Sequence, residues 1–195
     1  MQLNKGSKGF SFSKEGPLDM RMNPEEDLTA KEIVNKYSEK DLVSLIEEYG
    51  EERQARKAAK VICEARRKKP IETTTELANL LVSALGFHGK KIHPATLVFQ
   101  ALRIAVNREL TSIQEGISKA ISFLSPGGRM GAISFHSLED RIVKNLLRTA
   151  SFRNKKEGGF SLMKLLTKKP IIPSFAEIRM NPRSRSAKMR FAEKT

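Results

Sequence analysis

Apolar residues recur at three- and four-residue intervals through most of the first half of the chain. TAKEIVNKY (29–37) and SEKDLVSLIEEYG (38–50) read as amphipathic helices, with Ser38 and Asp41 spaced as a capping pair and Gly50 as a stop. EERQARKAAKVICEARRKK (51–69) gathers Ala55, Ala58, Ala59, Ile62 and Ala65 on one face, and Arg53, Arg56, Lys57, Lys60 and Arg67 on the other. TTTELANLLVSALG (73–86) opens with Thr73 and Glu76 and closes at Gly86. Residues 25–91 therefore predict a small all-helical unit, whose limit could lie as late as about 107, behind an extended glycine-punctuated segment over 1–24.

From His93 the texture changes. HPATLVFQALRIAVNREL (93–110) places Pro94 where a first helical turn accepts it, and TSIQEGISKAISFL (111–124) follows with Thr111 and Gln114 as a capping pair. Pro126, Gly127 and Gly128 end that helix, RMGAISF (129–135) is a short apolar strand, and SLEDRIVKNLL (137–147) returns to helical period. After a loop at Asn154 to Gly159, LMKLLT (162–167) and AKMRFAE (187–193) read as strands around a short helix opened by Ser174 and Glu177. This rhythm is that of an α/β sheet over 92–195. Its strand-like runs all lie after residue 128, so the first half of a parallel sheet is not found. Nor is a glycine-rich nucleotide loop, because Gly127 and Gly128 precede a strand whereas such loops follow one.

Candidate chemistry concentrates in ISFHSLEDRIVKN (133–145). A Ser/His/Asp triad is excluded because His136, Ser137 and Asp140 follow one another around one turn and cannot converge in a hydrogen-bonded line. The spacing predicts instead that Ser137 caps the helix with Asp140 completing the box. It also leaves His136 at the carboxyl end of the strand, where ligands of α/β sheets bind.

Charge narrows the partners. Thirty-six Lys and Arg against 22 Asp and Glu give a net +14, and residues 141–195 hold 15 basic residues against 3 acidic ones. A polyanion is the expected partner. No apolar run reaches the roughly 20 residues of a membrane span, and MQLNKGSKGF has no signal-peptide core, so a cytoplasmic address is expected. Cys63, the single cysteine, can form no internal disulfide, and with His88, His93 and His136 it shares no metal-ligand spacing, so no metal is expected.

GFSFSKEGPLDMRM (9–22), HPATLVFQALRIAVN (93–107), SPGGRMGAISFHSLEDRIVK (125–144) and NPRSRSAKMRFAE (181–193), in this order, resemble the bacterial RsmH family, also called MraW. Its members are S-adenosylmethionine-dependent methyltransferases acting on the exocyclic N4 amino nitrogen of a cytidine in 16S ribosomal RNA of the small subunit. The resemblance implies the C-terminal part of a class I (Rossmann-like) methyltransferase sheet, with the helical unit as an insertion forming part of the RNA-binding face. It places 1–24 just after the fourth strand of that sheet and transfers one cofactor contact, Gln2. The family's glycine-rich cofactor loop has no counterpart here, so the chain is expected to be inactive alone. A homodimer is admitted as a further partner.

A cytosine amino nitrogen is a poor nucleophile, since its lone pair is conjugated into the ring; a transferase must hold the flipped base and accept hydrogen bonds from the amino group. The Asn/Asp/Ser-Pro-Pro-aromatic tetrapeptide that many amino-methyltransferases use is absent, as Asn23-Pro24 and Asn181-Pro182 are followed by Glu and Arg. Asn107 and His136 are the expected acceptors, Asn107 alternatively serving as a helix-end cap. Arg53, Arg56, Lys57, Lys60 and Arg66 to Lys69 form a basic stripe on the helix that packs through its alanine face; of these Arg53, Arg56, Lys57 and Lys60, and also Arg183 and Arg185, are the expected phosphate contacts. A non-catalytic RNA-binding or ribosome-associated protein is the rival reading.

Overall fold

The computed structural model describes residues 8–86, 92–152 and 161–195. Gln2, His88 and the whole 154–159 loop lie outside the described residues. The chain divides into two compact units, Met1–Glu109 and Leu110–Thr195.

The first unit is helical: α1 (Ala30–Lys36), α2 (Glu39–Gly50), α3 (Ala55–Lys68), α4 (Thr74–Leu85) and α5 (Ala95–Asn107). Side-chain oxygens start three of them, since Thr29, Ser38 and Thr73 each accept from the backbone amide three residues on. Thr73 and Glu76 complete a reciprocal box. Backbone amides of Glu72 and Thr73, then Lys69, hold the Glu76 carboxyl down to about 2. The Gly50 stop is corrected: α2 runs through Gly50, and Glu51 (φ 52°) takes the left-handed cap. Glycine is needed at 50 for proximity, as a Cβ there would lie 2.7 Å from the carbonyl oxygen of Leu97 on α5. α5 thus belongs with α2, and its Phe99 and Leu102 join Leu42, Ile46, Ile62 and Leu77 in one core.

The segment after Lys8 is built onto this unit. Leu18 donates its amide to Glu72 O, Thr74 Oγ1 donates to Lys14 O, and Leu18 and Met20 are fully buried. At Gly9 (φ 70°) the chain crosses Pro17 so closely that any Cβ would strike its carbonyl.

The second unit contains most of α6 (Glu109–Phe123), then β1 (Arg129–Ser134), α7 (Ser137–Ser151), β2 (Met163–Leu165), α8 (Phe175–Met180) and β3 (Lys188–Lys194). The Thr111 and Gln114 pair is no cap, because α6 begins two residues earlier, directly after left-handed Arg108 (φ 49°). Ser174 does cap α8, accepting from the Glu177 amide. The sheet order is β1-β3-β2, and β3 is antiparallel to both neighbours. A parallel ladder is therefore not what joins these strands; β1 and β2 run in the same direction but are separated by the reversed β3. Ile117, Ile121, Val143, Leu147, Met163 and Ala192 form the core of this unit. No described helix is long and apolar enough to cross a membrane.

Candidate functional site

In the second unit, β1 passes into α7 through only Phe135 and His136. His136 is extended (φ −141°, ψ 169°) and is itself the N-cap: Nδ1 accepts from the Glu139 amide at 3.4 Å, and the Glu139 carboxylate returns to the His136 and Phe135 amides. Ser137 is the first helical residue, which overturns its assignment as cap. Asp140 is not part of the box either. Its carboxylate receives Arg190 Nε and Nη2 at 2.7 and 3.1 Å, with Lys188 Nζ at 3.6 Å, and the Arg190 hydrogen bond is the main cause that holds its pKa below the usual range. The buried Arg190 thereby ties the central strand to α7.

The imidazole does not reach freely outward as expected. Nε2 lies 3.1 Å from Glu139 Oε1, with no aligned hydrogen bond, and the side chain is only 13% exposed. Nδ1 accepts, so the network puts the proton on Nε2. Burial would raise the Glu139 carboxyl, but His136 and the two amides outweigh it and the net shift is downward. An acceptor carboxylate and a ring N–H thus sit side by side at the end of β1.

In the first unit, Asn107 ends α5 with its amide already engaged. Nδ2 donates to Met20 O at 2.8 Å and Arg103 O at 2.9 Å, while Oδ1 accepts from the Met22 amide at 2.7 Å. The alternative of a structural helix-end amide is what the geometry shows, and only a second lone pair on Oδ1 stays available to a ligand. Asn107 clamps a residue that sequence reasoning missed: Met20 is left-handed (φ 63°) without being glycine. Arg21 supports the same turn, with Nε and Nη2 on Asp19 and Nη1 on the carbonyls of Pro24 and Glu26. A Met between an Asp and an Arg carries no local signal for such a bend.

The cationic face of α3 is as the spacing predicts, with Ala55, Ala58, Ala59 and Ile62 buried and Arg56, Lys57 and Lys60 exposed; Arg53 is exposed as well, but in the turn that precedes the helix. Lys60 has one weak partner, Glu64 at 3.9 Å. Arg66 leaves the stripe, because its guanidinium donates to the carbonyls of Val34 and Tyr37. Arg183 and Arg185 are exposed on a short 3-10 turn, Pro182–Ser186.

Residues 1–195 match the model of the MraW methylase family. The chain belongs to that family. A relative from Protochlamydia amoebophila, "Ribosomal RNA small subunit methyltransferase H", is 55% identical over 207 residues, covering 99% of this chain and 64% of the relative. Proteins of the same name from Synechococcus elongatus (49% identical, 99% of this chain, 62% of the relative) and Sulfurihydrogenibium sp. (55%, 94% and 61%) are also similar. The chain thus spans less than two thirds of the length of these relatives.

Proposed function

We propose that this chain is the part of an S-adenosylmethionine-dependent ribosomal RNA methyltransferase that receives the RNA and presents a cytidine N4 amino group of 16S rRNA. The observation that carries this reading is the match of the whole chain to the MraW methylase family, with relatives named for small-subunit ribosomal RNA. The strand order supports a class I methyltransferase sheet in its C-terminal part, since a reversed strand sits between two that share a direction. The first unit, as a helical insertion, offers Arg53, Arg56, Lys57 and Lys60 to phosphates, and the second offers Arg183 and Arg185.

The described residues do not fit a cofactor cradle by themselves. The direct strand-to-helix turn from β1 to α7 has no glycine and opens onto Glu139 and Asp140, whose charges oppose an anionic group at the helix amides. Gln2 is the one cofactor contact proposed for this chain. What the chain's own residues supply is positioning. The Glu139 carboxylate can accept from an amino group, and the His136 ring, with Nε2 3.1 Å from Glu139 Oε1, fixes that carboxylate. Both act on a base already turned out of its stack.

The test is a chimera: the portion of the Protochlamydia relative that this chain does not cover is joined to it in the relative's order. Incubation with unmodified small subunits and S-adenosylmethionine should yield N4-methylcytidine by nucleoside mass spectrometry, while the 195-residue chain alone should yield none and show no micromolar cofactor binding by calorimetry. A chimera that binds the subunit without methylating it would instead support the non-catalytic RNA-binding reading.

A further inference from the structure

α7 carries Asp140, Lys144 and Arg148 at four-residue spacing, hence on one face of the helix. The acid does not neutralise its neighbours, because it is engaged by Arg190 and Lys188. Lys144 and Arg148 are left as like charges one turn apart, an arrangement that repels when nothing lies between. Together with exposed Lys168 they surround a cavity of about 260 Å³ between α7 and the β2–β3 edge, lined also by Leu147, Leu165 and Phe191. Arg148 is partly fixed, its guanidinium lying 5.5 Å from the centre of the Phe152 ring. Among the described residues no carboxylate forms an ion pair with Lys144, Arg148 or Lys168.

We propose that this cavity seats a backbone phosphate of an RNA strand, with Lys144, Arg148 and Lys168 as its counter-charges. The inference rests on the RNA-binding reading above and adds to the second compact unit a contact region separate from Arg183 and Arg185. Three cations without a carboxylate partner among the described residues, around a concavity, match one concentrated anion better than they match solvent. The volume is below the roughly 300–1,000 Å³ of whole-ligand pockets, which suits a phosphate with part of its sugar. The apolar lining from Leu165 and Phe191 offers a surface to that sugar or to a base, which favours a nucleic acid over an acidic peptide. Arg190 is not a ligand in this scheme, since its charge is answered by Asp140.

The test compares the 195-residue chain with a Lys144→Gln/Arg148→Gln/Lys168→Gln variant in binding a labelled single-stranded RNA between 50 and 200 mM salt. The substituted side chains are exposed, so the melting temperature should not move. The log–log salt slope should fall by roughly 0.7 for each phosphate that is no longer neutralised, and affinity at low salt by about tenfold or more. A Lys144→Arg/Lys168→Arg variant, which keeps the charge, should retain the wild-type slope. If the neutralised variant keeps the wild-type slope while an Arg53, Arg56, Lys57 and Lys60 variant loses it, the cavity proposal is overturned and the RNA reading stands. Failure of the wild-type chain to bind RNA would remove the RNA reading itself. Polyglutamate displacing the RNA as well as unlabelled RNA does would reassign the cavity to acidic protein. Saturation by millimolar inorganic phosphate with an unchanged RNA slope would make it a free-anion site and sink the proposal.

Discussion

His136 opens α7 with an imidazole nitrogen where a hydroxyl or carboxylate is usual, and Ser137 stands beside it as the first helical residue. His136→Ala should therefore cost the second unit about 0.5–2 kcal/mol in urea unfolding, with Ser137→Ala costing less than half as much. The reverse order would return the cap to Ser137. The local sequence could not separate the two, because His136 with Glu139 and Ser137 with Asp140 have the same spacing, one residue apart. The strand decides between them. β1 ends at Ser134 and leaves two linking residues, so the turn closes on His136, while Asp140 is drawn off by Arg190, a residue 50 positions away. Asn107 was equally ambiguous from sequence, since its partners Met20 and Met22 lie 87 and 85 residues upstream.

Element starts at Ser38, Thr73 and Ser174 were legible because capping is an interaction over three residues. The two stops and starts that failed depended on something else. Gly50 serves the approach of α5 rather than the end of α2, and α6 starts from left-handed Arg108 without a capping side chain. The alanine face of α3 was legible for the same local reason, whereas Arg66 was lost to carbonyls 32 and 29 residues away. At the start of α4, Glu76 gives a pH prediction. Its carboxyl titrates near 2 in the folded chain, below its ordinary value of 4.5, so the stabilisation is present above the unfolded value and is lost as pH falls from about 4.5 toward 2. Glu76→Gln should flatten the pH dependence of the melting temperature in that window. An unchanged curve would show that solvent screening cancels the interaction at this part-exposed site.

Across the whole molecule, a surplus of 14 positive charges is expected to make RNA affinity fall steeply with salt. Replacing Arg53, Arg56, Lys57 and Lys60 by Gln should lower the log–log slope by roughly 0.7 to 0.9 for each phosphate left without its counter-charge. A slope equal to wild type would assign the α3 face to water. The antiparallel pairing at the centre of the sheet was not legible, because three short apolar runs say nothing about which lies between the others. Only the register between β1 and β3, Arg129 opposite Glu193 through Ser134 opposite Lys188, settles it.

The central position of β3 also sets an order of events during synthesis. β1 and β2 leave the ribosome first, yet each pairs only with β3, whose residues 188–194 are made after both. Until those residues emerge, Met163 and Leu147 have no Ala192 to pack against and Asp140 has no Arg190. The helical unit, complete by Glu109, can fold while translation continues. The sheet must wait for the last strand, so a nascent chain carries a completed helical unit and an unpaired, strongly cationic second half for as long as residues 110–187 are being added.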